Sequence, residues 1–118
     1  MTPPATPGAP SPRDALRDRI REVLIDVETR EQVMFGGVAF MVDDRMLVAV
    51  MGDGALMARV DPARSDELLA RPGAGPVEMG KRTMGPSWIR VEPDAIADPA
   101  ELDAWIAEAR TFADADAD

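Results

Sequence analysis

Cysteine and histidine are both absent from this 118-residue chain. Without cysteine there are no disulfides, thiolate zinc sites or cysteine nucleophiles. Without histidine there is no Ser-His-Asp catalysis, no imidazole metal ligand and no ordinary proton shuttle near neutral pH. A metal site would have to be built from Asp and Glu alone, and no carboxylate run has the spacing of such a loop. Lysine occurs once, as Lys81, so a Schiff-base mechanism would rest on that residue. No apolar run approaches the roughly 20 residues that span a bilayer. The stretch 1–12 lacks the basic and apolar regions of a secretion signal, so the expected location is the cytoplasm.

Charge is the second constraint. The formal net charge is −9. Residues 1–30 balance, with five Arg against five Asp/Glu, so the excess lies further along the chain. An acidic body is repelled by phosphate backbones, and direct nucleic-acid binding is not expected. The acidity serves solubility.

The chain has room for one domain, expected over 12–112 between an N-terminal arm (1–11) and an acidic tail (113–118). The arm, with four prolines and no large aliphatic side chain after Met1, is expected to be disordered. Leu16, Ile20, Val23, Leu24 and Val27 recur at helical spacing and predict an amphipathic helix over 12–28, capped by Ser11. Residues 32–42, 45–51 and 55–60 then read as three strands. Asp43-Asp44 and Gly52-Asp53-Gly54 are the turns between them.

Strand 45–51 is apolar on both sides, with Met46, Val48 and Val50 alternating with Leu47, Ala49 and Met51. A sheet wetted on one face would show polar residues at alternate positions. Both faces are therefore expected to be covered, by helices on one side and by a helix or a second subunit on the other. Asp61-Pro62 opens a second helix that ends at Arg71-Pro72, and Gly73-Ala74-Gly75 reads as a flexible link. Residues 77–80 and 87–91 read as two further strands. Asp98-Pro99-Ala100-Glu101 caps a last helix with Leu102, Trp105, Ile106, Ala109 and Phe112 on its buried stripe. The reading is an α+β domain, α-β(3)-α-β(2)-α, with a five-stranded antiparallel sheet.

Five residues stand out as candidate binding groups: Gly36, Gly37, Lys81, Arg82 and Arg90. A Gly-Gly pair inside an apolar strand either lets a ligand or partner backbone approach closely, as in an anion-binding nest, or forms a bulge that bends the strand. It is not a phosphate loop, because no Gly-Lys-Ser/Thr follows. Lys81-Arg82, with Arg90 near them, would suit a phosphate or an acidic partner, or would simply keep a hairpin tip soluble. No catalytic residue, cofactor or metal is assigned. Seven methionines lie between Met34 and Met84. Methionine fills cores and also lines adaptable contact surfaces.

Several segments in order carry a resemblance. Met34–Phe40, Leu56–Asp61, Glu78-Met79-Gly80-Lys81-Arg82, Trp88–Pro93 and Asp98–Ala109 together resemble the N-terminal domain of the TfoX/Sxy family. The resemblance implies a fold similar to the type III secretion chaperones. It also implies a role in regulating natural competence, where family members act with the cyclic-AMP receptor protein at certain promoters. Full-length members carry a second, helical domain, and the resemblance covers the first. The family has no established catalytic residues to carry over. The expected function is a non-enzymatic regulatory or adaptor domain working through protein–protein contact, as a homodimer or with a transcription regulator. The alternative is a small-molecule or anion-binding module.

Overall fold

The computed structural model describes residues 12–34, 36–79, 82–83 and 85–116. The expected disordered arm, 1–11, lies outside them. Three helices and six strands make one layer of helix on one sheet: α1 (Pro12–Val23), β1 (Arg30–Met34), β2 (Gly37–Val42), β3 (Arg45–Val50), β4 (Leu56–Arg59), α2 (Ser65–Leu69), β5 (Ala74–Pro76), β8 (Trp88–Val91) and α3 (Pro99–Asp116). A separate two-stranded hairpin, β6 (Glu78–Met79) with β7 (Arg82–Thr83), stands on the excursion between β5 and β8. The antiparallel sheet runs β1-β2-β3-β4-β8-β5, so the last strand inserts between β4 and β5.

The five strands expected become six because one splits, one is gained and one leaves: the expected strand 77–80 is only Glu78–Met79, which pairs with Arg82–Thr83 outside the main sheet. The stretch 32–42 is the one that splits. Met34 pairs with Gly37 across a two-residue reversal, and Gly36 there has φ +75°, a conformation that costs glycine little. The strand gained is Ala74–Pro76, which is not a loose link. It pairs with Ile89–Val91 as an edge strand, and the Glu92 amide donates to the Gly73 carbonyl oxygen at 2.9 Å.

The other turns form as their residues predict. Asp43 and Asp44 both have positive φ (53° and 66°) between Val42 and Arg45, the type I′ geometry that matches strand twist. Asp61 Oδ1 accepts from the Ala63 amide at 2.9 Å and Asp98 Oδ1 from Ala100 at 2.9 Å, so both Asp-Pro pairs cap helical turns. Helix α1 ends at Val23 rather than 28, where β-branched Val23, Ile25, Val27 and Thr29 weaken the helical preference. The capping aspartate at 61 opens a short 3₁₀ turn, Pro62–Arg64, before α2.

One core joins sheet and helices. Val38, Phe40, Val48, Val50, Leu56, Ala58, Ile89 and Val91 face Leu16, Ile20 and Leu24 of the first helical segment, Leu68, and Leu102, Trp105, Ile106 and Ala109 of α3. Phe40 and Trp105 are among the largest side chains fully removed from water. A smaller cluster lies apart from it: Ala39, Ala49, Met57 and Val77 are buried, with Met41, Met46, Met51 and Trp88 half-buried around them. Its strand residues alternate with those of the main core, which puts it on the opposite sheet face.

The two-sided strand is thus present, but its faces are sorted differently from simple alternation. Phe40 opposes Val48 while Met41 opposes Met46, so Leu47 is an extra residue in β3. This bulge sends Leu47 to the main core beside Val48 and Met46 to the outer cluster beside Ala49.

Candidate functional site

Gly36, Gly37 and Arg90 come together at one end of the sheet. The end is built of two reversals and the start of α1. At Gly37 an added Cβ would overlap the Val50 carbonyl oxygen and lie 3.1 Å from Val50 C and 3.2 Å from Met51 Cα. The glycine is therefore required because β3 backbone passes against it. At Gly52 an added Cβ would meet the Gly36 carbonyl oxygen at 3.3 Å, and at Gly54 it would meet Pro12 Cβ at 2.8 Å. Arg13 Nη1 donates to the Gly36 carbonyl oxygen at 3.1 Å. The two turns and the helix start are packed backbone to backbone, and the Gly-Gly pair is neither a bulge nor an open nest.

Arg90 reaches this end from β8. Its Nη2 donates to Asp53 Oδ2 at 2.6 Å and to Glu92 Oε2 at 3.0 Å, its Nε to Glu92 Oε1 at 3.3 Å, and its Nη1 lies 3.3 Å from Met51 Sδ. The Asp53 carboxyl is held below the ordinary carboxylate range, chiefly by the Arg90 hydrogen bond, with desolvation opposing it and the Ala55 amide adding to it. Arg90 is raised in turn by Asp53 and then Glu92. An arginine gripped by two carboxylates offers an incoming phosphate little; its work is to tie the Gly52–Gly54 turn to β8.

Lys81 lies outside the described residues, and of Arg82 only the backbone place on β7 is described. Two open grooves lie elsewhere, one of 260 Å³ lined by Glu28, Thr29, Arg30, Met41, Asp43 and Asp44, and one of 430 Å³ between Arg19, Glu22, Val23, Pro99, Leu102 and Asp103. Both mix charges of opposite sign and gather no catalytic constellation.

The outer methionine face is marked by none of the five candidate residues. Half-buried Met41, Met46, Met51 and Trp88 surround buried Ala39, Ala49, Met57 and Val77 on the side away from the helices. The two-sided apolar pattern of 45–51 points to it, but which methionine turns outward depends on the Leu47 bulge. On the same face Arg59 stands opposite Trp88 in the β4–β8 pairing, its guanidinium carbon 6.0 Å from the Trp88 ring centroid and 5.4 Å from that of Phe112.

A six-stranded antiparallel sheet backed by three helices, with a second apolar cluster on its outer face, defines an α+β domain. The TfoX N-terminal domain family matches residues 24–113, and the chain belongs to that family. Helix α1 precedes the matched stretch, yet it supplies Leu16 and Ile20 to the core. No curated protein and no solved structure matches the chain, so the likeness to type III secretion chaperones stays an implication of the resemblance alone. Among the described residues no helix is long and apolar enough to cross a membrane.

Proposed function

We propose that this chain is a non-enzymatic regulatory or adaptor domain that works through protein–protein contact, in the transcription- or competence-related setting its family suggests. One observation carries the reading: the sheet has a second apolar face, rich in methionine and partly open to solvent. Thioether side chains are polarisable and unbranched, so such a face can repack against a partner with modest loss. The expected partner is a transcription regulator, and the expected home is the cytoplasm.

Arg90 is already engaged by Asp53 and Glu92, so the anion-binding alternative would rest on Lys81 and Arg82, whose side chains lie outside the described ones. The reading is tested by affinity purification of the tagged chain from its host, beside a Met41→Glu/Met46→Glu variant. A transcription regulator or RNA polymerase subunit recovered with the parent and lost with the variant supports it. Recovery of the chain alone, or capture indifferent to the variant, refutes the role given to this face.

A further inference from the structure

The two edges of the sheet are guarded very differently. The β5 edge is three residues long and ends in Pro76, which has no amide hydrogen to offer. The β1 edge is Arg30-Glu31-Gln32-Val33-Met34, with neither proline nor lysine. In an antiparallel edge strand alternate residues turn their N–H and C=O groups outward, where only solvent or another strand can satisfy them.

Three further observations converge on this edge. Among the described residues the exposed large aliphatic side chains are Ile25 (83% exposed) and Val33 (76%), and both belong to the stretch that leads into and forms β1. Of the two charges on the strand, Glu31 accepts from Arg21 Nη2 at 2.7 Å and from Arg21 Nε at 2.5 Å, and Arg30 at its far end lies 3.7 Å from Asp44. Finally, the charges of the α1 flank cancel, with Arg13, Arg17 and Arg21 tied to Asp14, Asp18 and Glu31, and the exposed lead-in adds only Asp26 and Glu28 against Arg30, while the whole chain carries −9. A strongly acidic molecule meets its own kind with less repulsion where its charges nearly cancel. A partner chosen for its charge would gain little from such a patch.

We propose that β1 is a self-association edge, at which a second copy of this chain adds its own β1 antiparallel to form one continuous sheet. Full overlap of the two strands sets Gln32 opposite Gln32 and Glu31 opposite Val33, and it makes the two Val33 side chains diagonal neighbours on the helix side. A five-residue strand and its flank make a contact at the small end for protein interfaces, so the association is of the weak, transient class. The inference deepens the contact-domain reading and rests on it for its biological sense. The two fail separately, because the partner-binding face is the outer sheet and the self-association edge is β1.

The test is sedimentation equilibrium of the full chain from a few to several hundred micromolar, with hydrogen exchange at both ends of that range. A monomer–dimer equilibrium is expected, with the amides of 30–34 gaining protection as concentration rises. Val33→Glu, at a site exposed in the single chain, sets like charges opposite each other across the shared edge; it should weaken dimerisation about tenfold or more and leave the melting temperature of the dilute protein unchanged. Pro76→Lys on the opposite edge should leave the dimer intact. A protein that stays monomeric throughout overturns the proposal, and so does a dimer insensitive to Val33→Glu. Should that variant fold poorly, the concentration-dependent exchange of the parent decides alone: protection gained elsewhere but not in 30–34 overturns it. A parent that stays monomeric yet captures its host partner removes the edge proposal only; a parent that dimerises through 30–34 yet captures no partner removes the adaptor reading only.

Discussion

Replacing Gly37 by alanine tests the central packing claim, that the Gly-Gly pair exists for backbone contact. The new methyl carbon would overlap the Val50 carbonyl oxygen, with Val50 C at 3.1 Å and Met51 Cα at 3.2 Å. These are backbone atoms of the neighbouring strand and cannot swing aside as a side chain would. The β2 and β3 backbones must part by roughly 1 Å at the point where Val38 pairs with Val50. Overpacking of this kind costs about 1–3 kcal/mol, and each ladder hydrogen bond it breaks adds about 1 kcal/mol. A loss of about 3 kcal/mol lowers the melting temperature of a domain this size by about 12–15 °C. Its neighbour makes a sharp control. Gly36 has open space around its Cβ position but φ +75°, so Gly36→Ala pays only left-handed strain, about 1 kcal/mol or 4–6 °C. Gly75 has neither crowding nor positive φ, and Gly75→Ala should be neutral or slightly stabilising. Thermal and urea denaturation by circular dichroism gives the order directly. A Gly37→Ala loss no larger than that of Gly36→Ala refutes the reasoning, whatever the absolute values.

Three other expectations follow from named contacts. Asp53→Asn removes the strongest partner of Arg90; the pair is largely exposed, so the cost at pH 7 is under about 1 kcal/mol in urea unfolding. Because the Asp53 pKa is lowered in the folded state, its contribution is complete above the ordinary carboxylate range near pH 4 and fades as pH falls through the lowered value. The Asn variant should therefore match the parent more closely at pH 2 than at pH 7, and a difference that persists undiminished into acid contradicts this account. Trp105→Ala should cost about 3–5 kcal/mol and leave little folded protein at 37 °C, since Trp105 is 1% exposed in the main core; a cooperative transition near that of the parent would show that α3 is not docked as described. Met46→Leu, by contrast, conserves volume on the outer face and should change stability by less than about 1.5 kcal/mol.

Much of the fold could be read from local chemistry, and the misses share one cause. Asp43-Asp44 reads as a turn because aspartate tolerates positive φ, and Asp61-Pro62 and Asp98-Pro99 read as helix starts because cap and ring act within three residues. Helical spacing of Leu102, Trp105, Ile106 and Ala109 is likewise a local signal. What local reading cannot decide is a choice settled by a distant strand. A Gly-Gly pair in an apolar run fits a bulge, a nest or a reversal, and the Val50 carbonyl, 13 residues further on, selects the last and forbids a side chain at 37. Ala74-Gly75-Pro76 has no apolar period at all and becomes a strand only because β8 returns beside it.

The candidate site shows the same division. Arg90, expected beside Lys81-Arg82, is found tied to the Gly52–Gly54 turn, and its chemistry is set by partners at two ranges. Glu92 lies two residues further on, just past the end of β8, and could be anticipated. Asp53 lies 37 residues earlier and could not. Together they turn a plausible anion-binding arginine into a structural clasp. The methionine face went the other way: its residues were visible, while their exposure hangs on the one extra residue at Leu47 that reverses the sense of alternation for Met46. On the contact reading proposed above, specificity would reside in just such long-range placements. The side chains that most deserve mutation are therefore those whose facing depends on a bulge or an edge, Met46 and Val33, rather than the charged residues that a motif search finds first.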